Sequence, residues 1–326
     1  MNLNSAIETN LRVHYGIRTL RIDSYVERAP TLALKVEATN GDGKLIQLCV
    51  KRNHAQTPED NLLFQNDVTT AMRARGFGLI PQMVPGNSGN LSFPVGNETF
   101  IVSHFIEADP CLNWMTQGAS SAQTFNAGKA LAQFHQTSFD ARADLPAYEG
   151  PHRRRPVRSL WNAYQYTLLK ADNFKELEAC RLFLEKRARF EDFFMAMKKA
   201  PPQRSTAAYI HGDYHPGNIL FVGEEIKGIV DFDYLAYGPR LYDIAYSLTM
   251  FQYNGPPDSD RQFIDGYNSH AKSAIDLEHP DLRKYRQVAA LLNIAWLVNQ
   301  LEPNGQSNDD VNSALGKAEL MLSRIS

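Results

Sequence analysis

Between Tyr209 and Tyr246 the chain reads YIHGDYHPGNILFVGEEIKGIVDFDYLAYGPRLYDIAY. Two polar clusters, His211 to Asn218 and Asp231-Phe232-Asp233, flank two short apolar runs. Those runs, Asn218 to Val222 and Ile226 to Val230, are separated by Gly223-Glu224-Glu225 and predict a β-hairpin. A hairpin returns its ends to one place, so the two polar clusters become neighbours. No other stretch constrains the fold as tightly, because any surrounding architecture must seat this hairpin with both polar ends accessible.

The rest of the chain falls into two regimes. From Arg21 to Ile106 the pattern is mostly period two. Leu32, Leu34, Val36 and Ala38 alternate before Asn40-Gly41-Asp42-Gly43, and Ile46, Leu48 and Val50 alternate after it. Lys51 shares the opposite face with Leu45, Gln47 and Cys49. Thr57-Pro58-Glu59-Asp60 predicts a helix start, carried on by Phe64, Val68, Ala71 and Met72 to a stop at Gly76. Strands around Gly96-Asn97 follow. Beyond Ile106 the period is helical: a helix capped by Ser120 or Ser121, a charged helix from about Phe174 to Lys199, and at least three more after the hairpin. The expected fold class is α+β, with a small β-rich N-terminal lobe carrying one helix and a larger, mainly helical lobe behind it. The expected boundaries are residues 1–102, a hinge at 103–108 and residues 109–326. A cleft between lobes is the default place for a site.

Phosphoryl transfer requires the residue types found in the two polar clusters. The step from Asp213 to Asn218 equals the Asp-to-Asn step of the kinase H-R-D-L-x-x-x-N loop, and a second acid, Asp231, arrives after the hairpin. An attacking hydroxyl must be oriented and relieved of its proton, which the Asp213 carboxylate can do. Mg²⁺ prefers oxygen ligands, few of them from protein, which Asn218 and Asp231 can provide. Lys51 is the best-placed cation for a triphosphate.

The HGDxHxGN…DFD run resembles the aminoglycoside phosphotransferase, choline kinase and homoserine kinase superfamily, relatives of the protein kinases. Phe100 to Ala108 (FIVSHFIEA) stands where that family has its interlobe hinge. Gly128 to His135 (GKALAQFH) resembles its G-x-x-L-A-x-x-H helix, and Leu241 to Ala245 (LYDIA) its Y-D-I-A segment. The resemblance covers residues 20 to 250 and implies a bilobal, protein-kinase-like fold that moves the γ-phosphate of ATP or GTP to a hydroxyl, with Mg²⁺. It implies Asp213 as catalytic base, Asn218 and Asp231 as metal ligands and Lys51 as the α/β-phosphate lysine. Backbone atoms of Ser103, His104 and Phe105 become the adenine contacts. His215 stands where it can touch phosphate or substrate, and His211 where it can hold the loop.

Two departures stand out. The first N-terminal loop, Glu27-Arg28-Ala29-Pro30-Thr31, contains no glycine, which leaves Arg28 or the Thr31 hydroxyl to meet the phosphates. The helix position that usually offers a glutamate to the strand lysine holds Gln65, so a looser Lys51 arrangement is expected.

Three rival readings follow from the same residues. His211, Asp213 and His215 alternate and could face one way to bind a transition metal, as in a metallohydrolase. The acceptor could be a protein Ser or Thr, as in bacterial stress-response kinases. The glycine-free loop and Gln65 also fit a nucleotide-binding regulatory pseudokinase. Asp243, inside an apolar run, reads as a loop-capping carboxylate, and His152 to Arg158 (HRRRPVR) as a solvated loop.

The net charge of −2 excludes a global basic field for nucleic acid. No run reaches the ~20 apolar residues of a membrane span. Cys49, Cys111 and Cys180 lack disulfide or zinc spacing, which points to a reducing cytoplasm. The expected partners are therefore a nucleoside triphosphate and a small hydroxyl-bearing acceptor of homoserine, amino-alcohol or aminoglycoside type. From Leu241 onward 7 bases meet 11 acids, a mild bias toward cationic acceptors. Oligomeric state is not encoded in any motif.

Overall fold

Helix α1 (Leu3–Tyr15) opens the chain and adds a second helix where the sequence pattern showed one. The Asn2 side-chain oxygen accepts from the Ser5 N–H at 2.8 Å, and Gly16 stops the helix at φ +65°. Its buried residues, Ile7, Leu11 and Tyr15, recur at every fourth position. A stripe that thin is hard to distinguish from its polar surroundings. A computed structural model describes residues 2–28, 31–53, 59–142, 145, 155–185, 187–188, 191–192, 195, 207–300, 313 and 316–317. Contacts divide the chain into Met1–Glu107 and Ala108–Ser326.

In the first unit five strands form one antiparallel sheet: β1 (Arg18–Arg28), β2 (Thr31–Thr39), β3 (Leu45–Asn53), β4 (Ser92–Val95) and β5 (Glu98–His104), in the order β1-β2-β3-β5-β4. Leu34 lies opposite Val50 and Val36 opposite Leu48, which fixes the register. Those side chains, with Phe100 and Val102, turn to one face and pack with Ile7 and Leu11 of α1. Alternation sends Lys35, Cys49 and Lys51 to the other face. Helix α2 (Glu59–Ala74) follows β3. Its expected start at Thr57-Pro58 lies outside the described residues.

The second unit begins its regular structure with α3 (Ser121–Ala141). Ser120 caps it through a reciprocal pair with Gln123, so the expected N-terminus is confirmed in detail. One expectation fails in the next segment. Helix α4 (Arg155–Asn173) takes in the second half of the basic run that was read as a loop. The charged helix expected from about Phe174 to Lys199 starts four residues later: residues 174–177 turn, α5 (Glu178–Glu185) follows, and the described residues 187–188, 191–192 and 195 are helical too. Charge content marks a solvated helix but not the residue at which it starts.

Strands β6 (Ala207–Ile210), β7 (Ile219–Val222), β8 (Glu225–Ile229) and β9 (Ala236–Pro239) form two small antiparallel pairs, β6 with β9 and β7 with β8. The hairpin was expected; the β6–β9 pair that brackets it was not, because four residues are too few for a visible alternation. Helices α6 (Arg240–Gln252), α7 (Ser259–Asn268) and α8 (Pro280–Asn299) follow. Helix α3 crosses α7 closely because Gly128 and Gly266 face it with bare backbone. A Cβ on either would collide with the Phe263 or Phe125 carbonyl. The core joins Tyr164, Phe183, Ile210, Tyr242, Leu291 and Leu297. Among the described residues no helix is long and apolar enough to cross a membrane.

Candidate active site

The site is built from the loop between β6 and β7. All four residues of β6 are buried, so the loop leaves a fixed strand end. Gly212 then takes φ +81°, and a Cβ there would strike the Tyr234 carbonyl. The position accepts only glycine without strain. The Asp243 carboxylate on α6 receives the His211 N–H at 2.7 Å and the Gly212 N–H at 2.8 Å, one on each oxygen. It also accepts from His135 Nε2 at 3.0 Å, and His135 Nδ1 in turn meets the Tyr267 hydroxyl at 3.0 Å. Asp243 is thus the loop-capping carboxylate expected of it. Beyond Asp213, the buried Tyr214 hydroxyl donates to the Ala127 carbonyl at 3.0 Å and pins the loop to α3.

The hairpin brings the two polar clusters together. Ile219 pairs with Ile229, and one step further the Val230 N–H donates to the Asn218 carbonyl at 2.9 Å. Asn218 and Asp231 therefore sit at the same hairpin end. Asp231 has φ 68° and ψ 64°, the single left-handed non-glycine residue among those described. Such backbone costs on the order of 1–3 kcal/mol and is retained where surrounding structure imposes it.

Asp213 lies among its neighbours with both oxygens engaged. Tyr246 donates to Oδ1 at 2.6 Å, Asn218 Nδ2 donates to Oδ2 at 3.1 Å, and His215 Nε2 stands 3.6 Å from Oδ2. Burial would push this carboxyl up. The charge and hydrogen bonding of His215, the Tyr246 hydroxyl and His211 prevail and hold it down at about 2. Asp213 is therefore a carboxylate throughout the neutral range.

The two histidines differ. His211 Nε2 donates to the Val230 carbonyl at 3.0 Å and Nδ1 accepts the Asp213 N–H at 3.3 Å. Burial lowers its pKa, so the ring stays neutral. With both nitrogens bound to backbone it cannot ligate a metal, which removes the metallohydrolase arrangement of His211, Asp213 and His215; His211 is a loop holder. Among the described residues no three His, Cys, Asp or Glu side chains converge as metal ligands. His215 Nδ1 accepts the Gly217 N–H at 3.0 Å, which leaves Nε2–H toward Asp213.

Asn218 has an orientation that suits a hard cation. Its Nδ2 donates to the Asp213 carbonyl at 2.9 Å and to Oδ2, so its Oδ1 points away from that pair. With Asp231 at the same hairpin end, an amide oxygen and a carboxylate are the donor types that Mg²⁺ takes.

In the first unit Lys51 is half-buried on the face opposite α1, between Ala33 and Ile101 of the neighbouring strands. Lys35 shares that face, paired with Glu107 at 2.8 Å and set over the Phe105 ring. Gln65 is buried, and among the described residues its Nε2 has no partner. Arg28 and Thr31 are the last pair of the β1–β2 ladder; their side chains lie outside what is described. Of the backbone atoms expected at Ser103, His104 and Phe105, the His104 N–H is bonded to the Gln82 carbonyl at 2.9 Å and the Phe105 N–H to the Gln47 carbonyl at 3.0 Å, so a base would meet carbonyl groups rather than these two donors.

Sequence reasoning missed Tyr246 and an aromatic group around Trp114. That ring contacts His215 at 6.2 Å, Tyr253 at 5.1 Å and Trp296 at 5.6 Å between centroids. Tyr246 follows the Y-D-I-A segment by one position, which was its available signal.

A five-stranded sheet with a strand lysine, followed by a catalytic-type loop and a metal-type acid at the two ends of a hairpin, defines a protein-kinase-like fold. The chain belongs to the phosphotransferase enzyme family, whose model matches residues 31–288. Curated relatives include the homoserine kinase of Rhodopseudomonas palustris, 24% identical over 196 residues, 58% of this chain and 53% of that protein. The homoserine kinase of Mesorhizobium japonicum is 33% identical over 124 residues, 37% of this chain and 33% of that one. The chain therefore spans about half or less of the length of these relatives. Among solved structures, spectinomycin phosphotransferase in complex with ADP and spectinomycin superposes with TM-score 0.59 at 22% identity, covering 97% of this chain and 98% of that one. The choline kinase of Cryptosporidium parvum superposes with TM-score 0.64 at 12% identity, covering 98% and 95%.

Proposed function

We propose that the protein transfers the γ-phosphate of ATP to a hydroxyl of a small molecule, with Asp213 receiving that hydroxyl. The observation that carries this reading is the Asp213 carboxylate, ionised and held on both oxygens, beside Asn218 and the strained Asp231 at one hairpin end. In a loose phosphoryl-transfer transition state little proton transfer precedes bond breaking, so a weakly basic carboxylate suffices when it is well positioned. Asn218 Oδ1 and Asp231 would hold Mg²⁺, which when bound neutralises charge on the phosphate oxygens. Lys51 supplies further positive charge, and His215 Nε2–H is placed to donate to a phosphate or acceptor oxygen.

The nucleotide base fits the end of β5. Phe105 bonds toward β3 through Gln47, so by alternation the His104 carbonyl and Ile106 N–H point to the other edge. Ile106 N–H has no partner among the described residues. That acceptor–donor pair, two residues apart, matches the donor–acceptor edge of adenine. Residues 103–108 remain the proposed hinge, and the aromatic group at Trp114, adjoining His215, the proposed wall for the non-reacting part of the acceptor.

The test is a screen of hydroxyl compounds, including L-homoserine, choline and spectinomycin, with ATP and Mg²⁺. Asp213→Asn should lower turnover by ~10²-fold or more with nucleotide affinity retained. Nucleotide binding without transfer to any acceptor or to water would favour a regulatory pseudokinase. Normal turnover by Asp213→Asn would remove Asp213 from the reaction.

A further inference from the structure

Tyr246 belongs to none of the motifs that marked the site, yet its hydroxyl touches the carboxylate at the centre of it. We propose that Tyr246 is a positioning residue for phosphoryl transfer, fixing Asp213 Oδ1 where an acceptor hydroxyl must bind. The inference rests on the reading of Asp213 as the group that receives that hydroxyl.

The Asp213 carboxylate offers about four acceptor sites, two on each oxygen. On Oδ2 one is taken by Asn218 Nδ2 at 3.1 Å, and His215 Nε2 faces the same atom at 3.6 Å. Among the described residues Oδ1 receives only Tyr246, at 2.6 Å. Two groups thus face Oδ2 and one faces Oδ1, so Oδ1 is the less crowded acceptor for an incoming hydroxyl, and Tyr246 holds that same atom. A distance of 2.6 Å is in the short range of O–H···O⁻ bonds, which are stronger than neutral ones. Without it the carboxylate is held at Oδ2 alone, and rotation about Cβ–Cγ carries Oδ1 out of position.

The anchor itself is rigid. Tyr246 lies on α6, one turn after Tyr242, and the two rings stack with centroids 6.3 Å apart and planes 20° from parallel. Tyr242 is buried in the core and cannot swing away. The same helix supplies Asp243, which holds the backbone immediately before Asp213. One helix thus fixes the reacting residue twice, its main chain through Asp243 and its side chain through Tyr246. Precise placement of a reacting group is where much of the acceleration of such a reaction arises.

The full-length chain is assayed as wild type, Tyr246→Phe, Asp213→Asn and the double variant. The probes are MgATP with water, L-homoserine or choline as acceptor, using whichever gives the highest wild-type turnover. Thermal unfolding is measured for each, since Phe keeps the ring and its stacking. Tyr246→Phe should lower kcat by about 10- to 100-fold, with the KM for ATP within about twofold and the melting temperature unchanged. In the Asp213→Asn background the same change should cost less than about twofold, because the atom it positions is already disabled. Full kcat in Tyr246→Phe, or an equal loss in both backgrounds, would overturn the positioning role; the second result would mean that Tyr246 contacts the acceptor directly. Near-normal turnover by Asp213→Asn would overturn the reading of Asp213 and this inference with it. An inactive Asp213→Asn beside an unimpaired Tyr246→Phe overturns this inference alone.

Discussion

Asp243 holds Gly212 by a single hydrogen bond, Oδ1 to N–H at 2.8 Å, and the whole approach to Asp213 depends on the carboxylate that makes it. The other oxygen takes the His211 N–H and His135 Nε2. Three donors converge on one buried anion, so removing it leaves three donors without partners. Each such loss costs about 1–3 kcal/mol. Asp243→Ala should therefore lose about 3 kcal/mol or more of stability, read as a lower denaturant midpoint, and transfer activity with it. Asp243→Asn should do nearly as badly, because its amide nitrogen would face a donor. A midpoint within experimental error of wild type for either variant would show that the loop does not depend on this carboxylate.

The pH dependence of stability follows from His135. Burial pushes its pKa below the usual 6.5, outweighing the hydrogen bond and charge of Asp243; Arg240 and His211 push the same way as burial. Tyr267 closes the ring's other nitrogen. The folded chain therefore keeps His135 neutral, while the unfolded chain protonates it below about 6.5. The unfolded state binds the extra proton, so stability is complete above about pH 6.5 and is lost as pH falls from there toward the lower folded value. Urea midpoints should drop between about pH 7 and pH 5, and His135→Asn should reduce that drop, leaving the part contributed by His211, which burial likewise keeps neutral. A wild-type midpoint that is constant across the interval contradicts the assignment.

Gly212 and Gly223 provide a matched pair of substitutions. Both have positive φ, +81° and +59°, but only at Gly212 would a Cβ meet another atom, the Tyr234 carbonyl. Gly223→Ala should cost about 1 kcal/mol from backbone strain alone. Gly212→Ala should cost at least about 2 kcal/mol and displace the Asp213 side chain, with lower turnover in the fraction that stays folded. Equal midpoints for the two variants would mean that Tyr234 yields without cost.

Much of this site was legible because its geometry is local. The hairpin turn sets Asn218 against Asp231, and the Ser120 cap and Gly128 each carry their signal within a few residues. What escaped was long-range or too short. Tyr246 reaches Asp213 across 33 positions of sequence, and β6 finds β9 with four residues on each side. Helix α1 buries only three side chains. The pattern located the end of β5, but which N–H groups there are already bonded depends on Gln47 and Gln82, which no local pattern joins to it.

The proposed function gives Asn218 two tasks with one side chain, and the two can be separated. Its Nδ2 steadies the Asp213 carbonyl and Oδ2, while its Oδ1 would hold the metal. Asn218→Ala removes both. Asn218→Asp keeps an oxygen for Mg²⁺ but loses the donor and sets two carboxylates side by side, which repel unless a cation lies between them. If the metal role dominates, Asn218→Asp should retain turnover at saturating Mg²⁺ while Asn218→Ala does not. The geometry argues for the other outcome, because among the described residues Nδ2 is one of two donors within 3.1 Å of the Asp213 carboxylate. Both variants should then lose ~10²-fold in turnover, and only Asn218→Ala should need about 10- to 100-fold more Mg²⁺ for half-maximal rate. A magnesium titration of the two variants decides it: an unshifted midpoint in Asn218→Ala takes the residue out of the metal site, and full turnover in Asn218→Asp takes away its hold on Asp213.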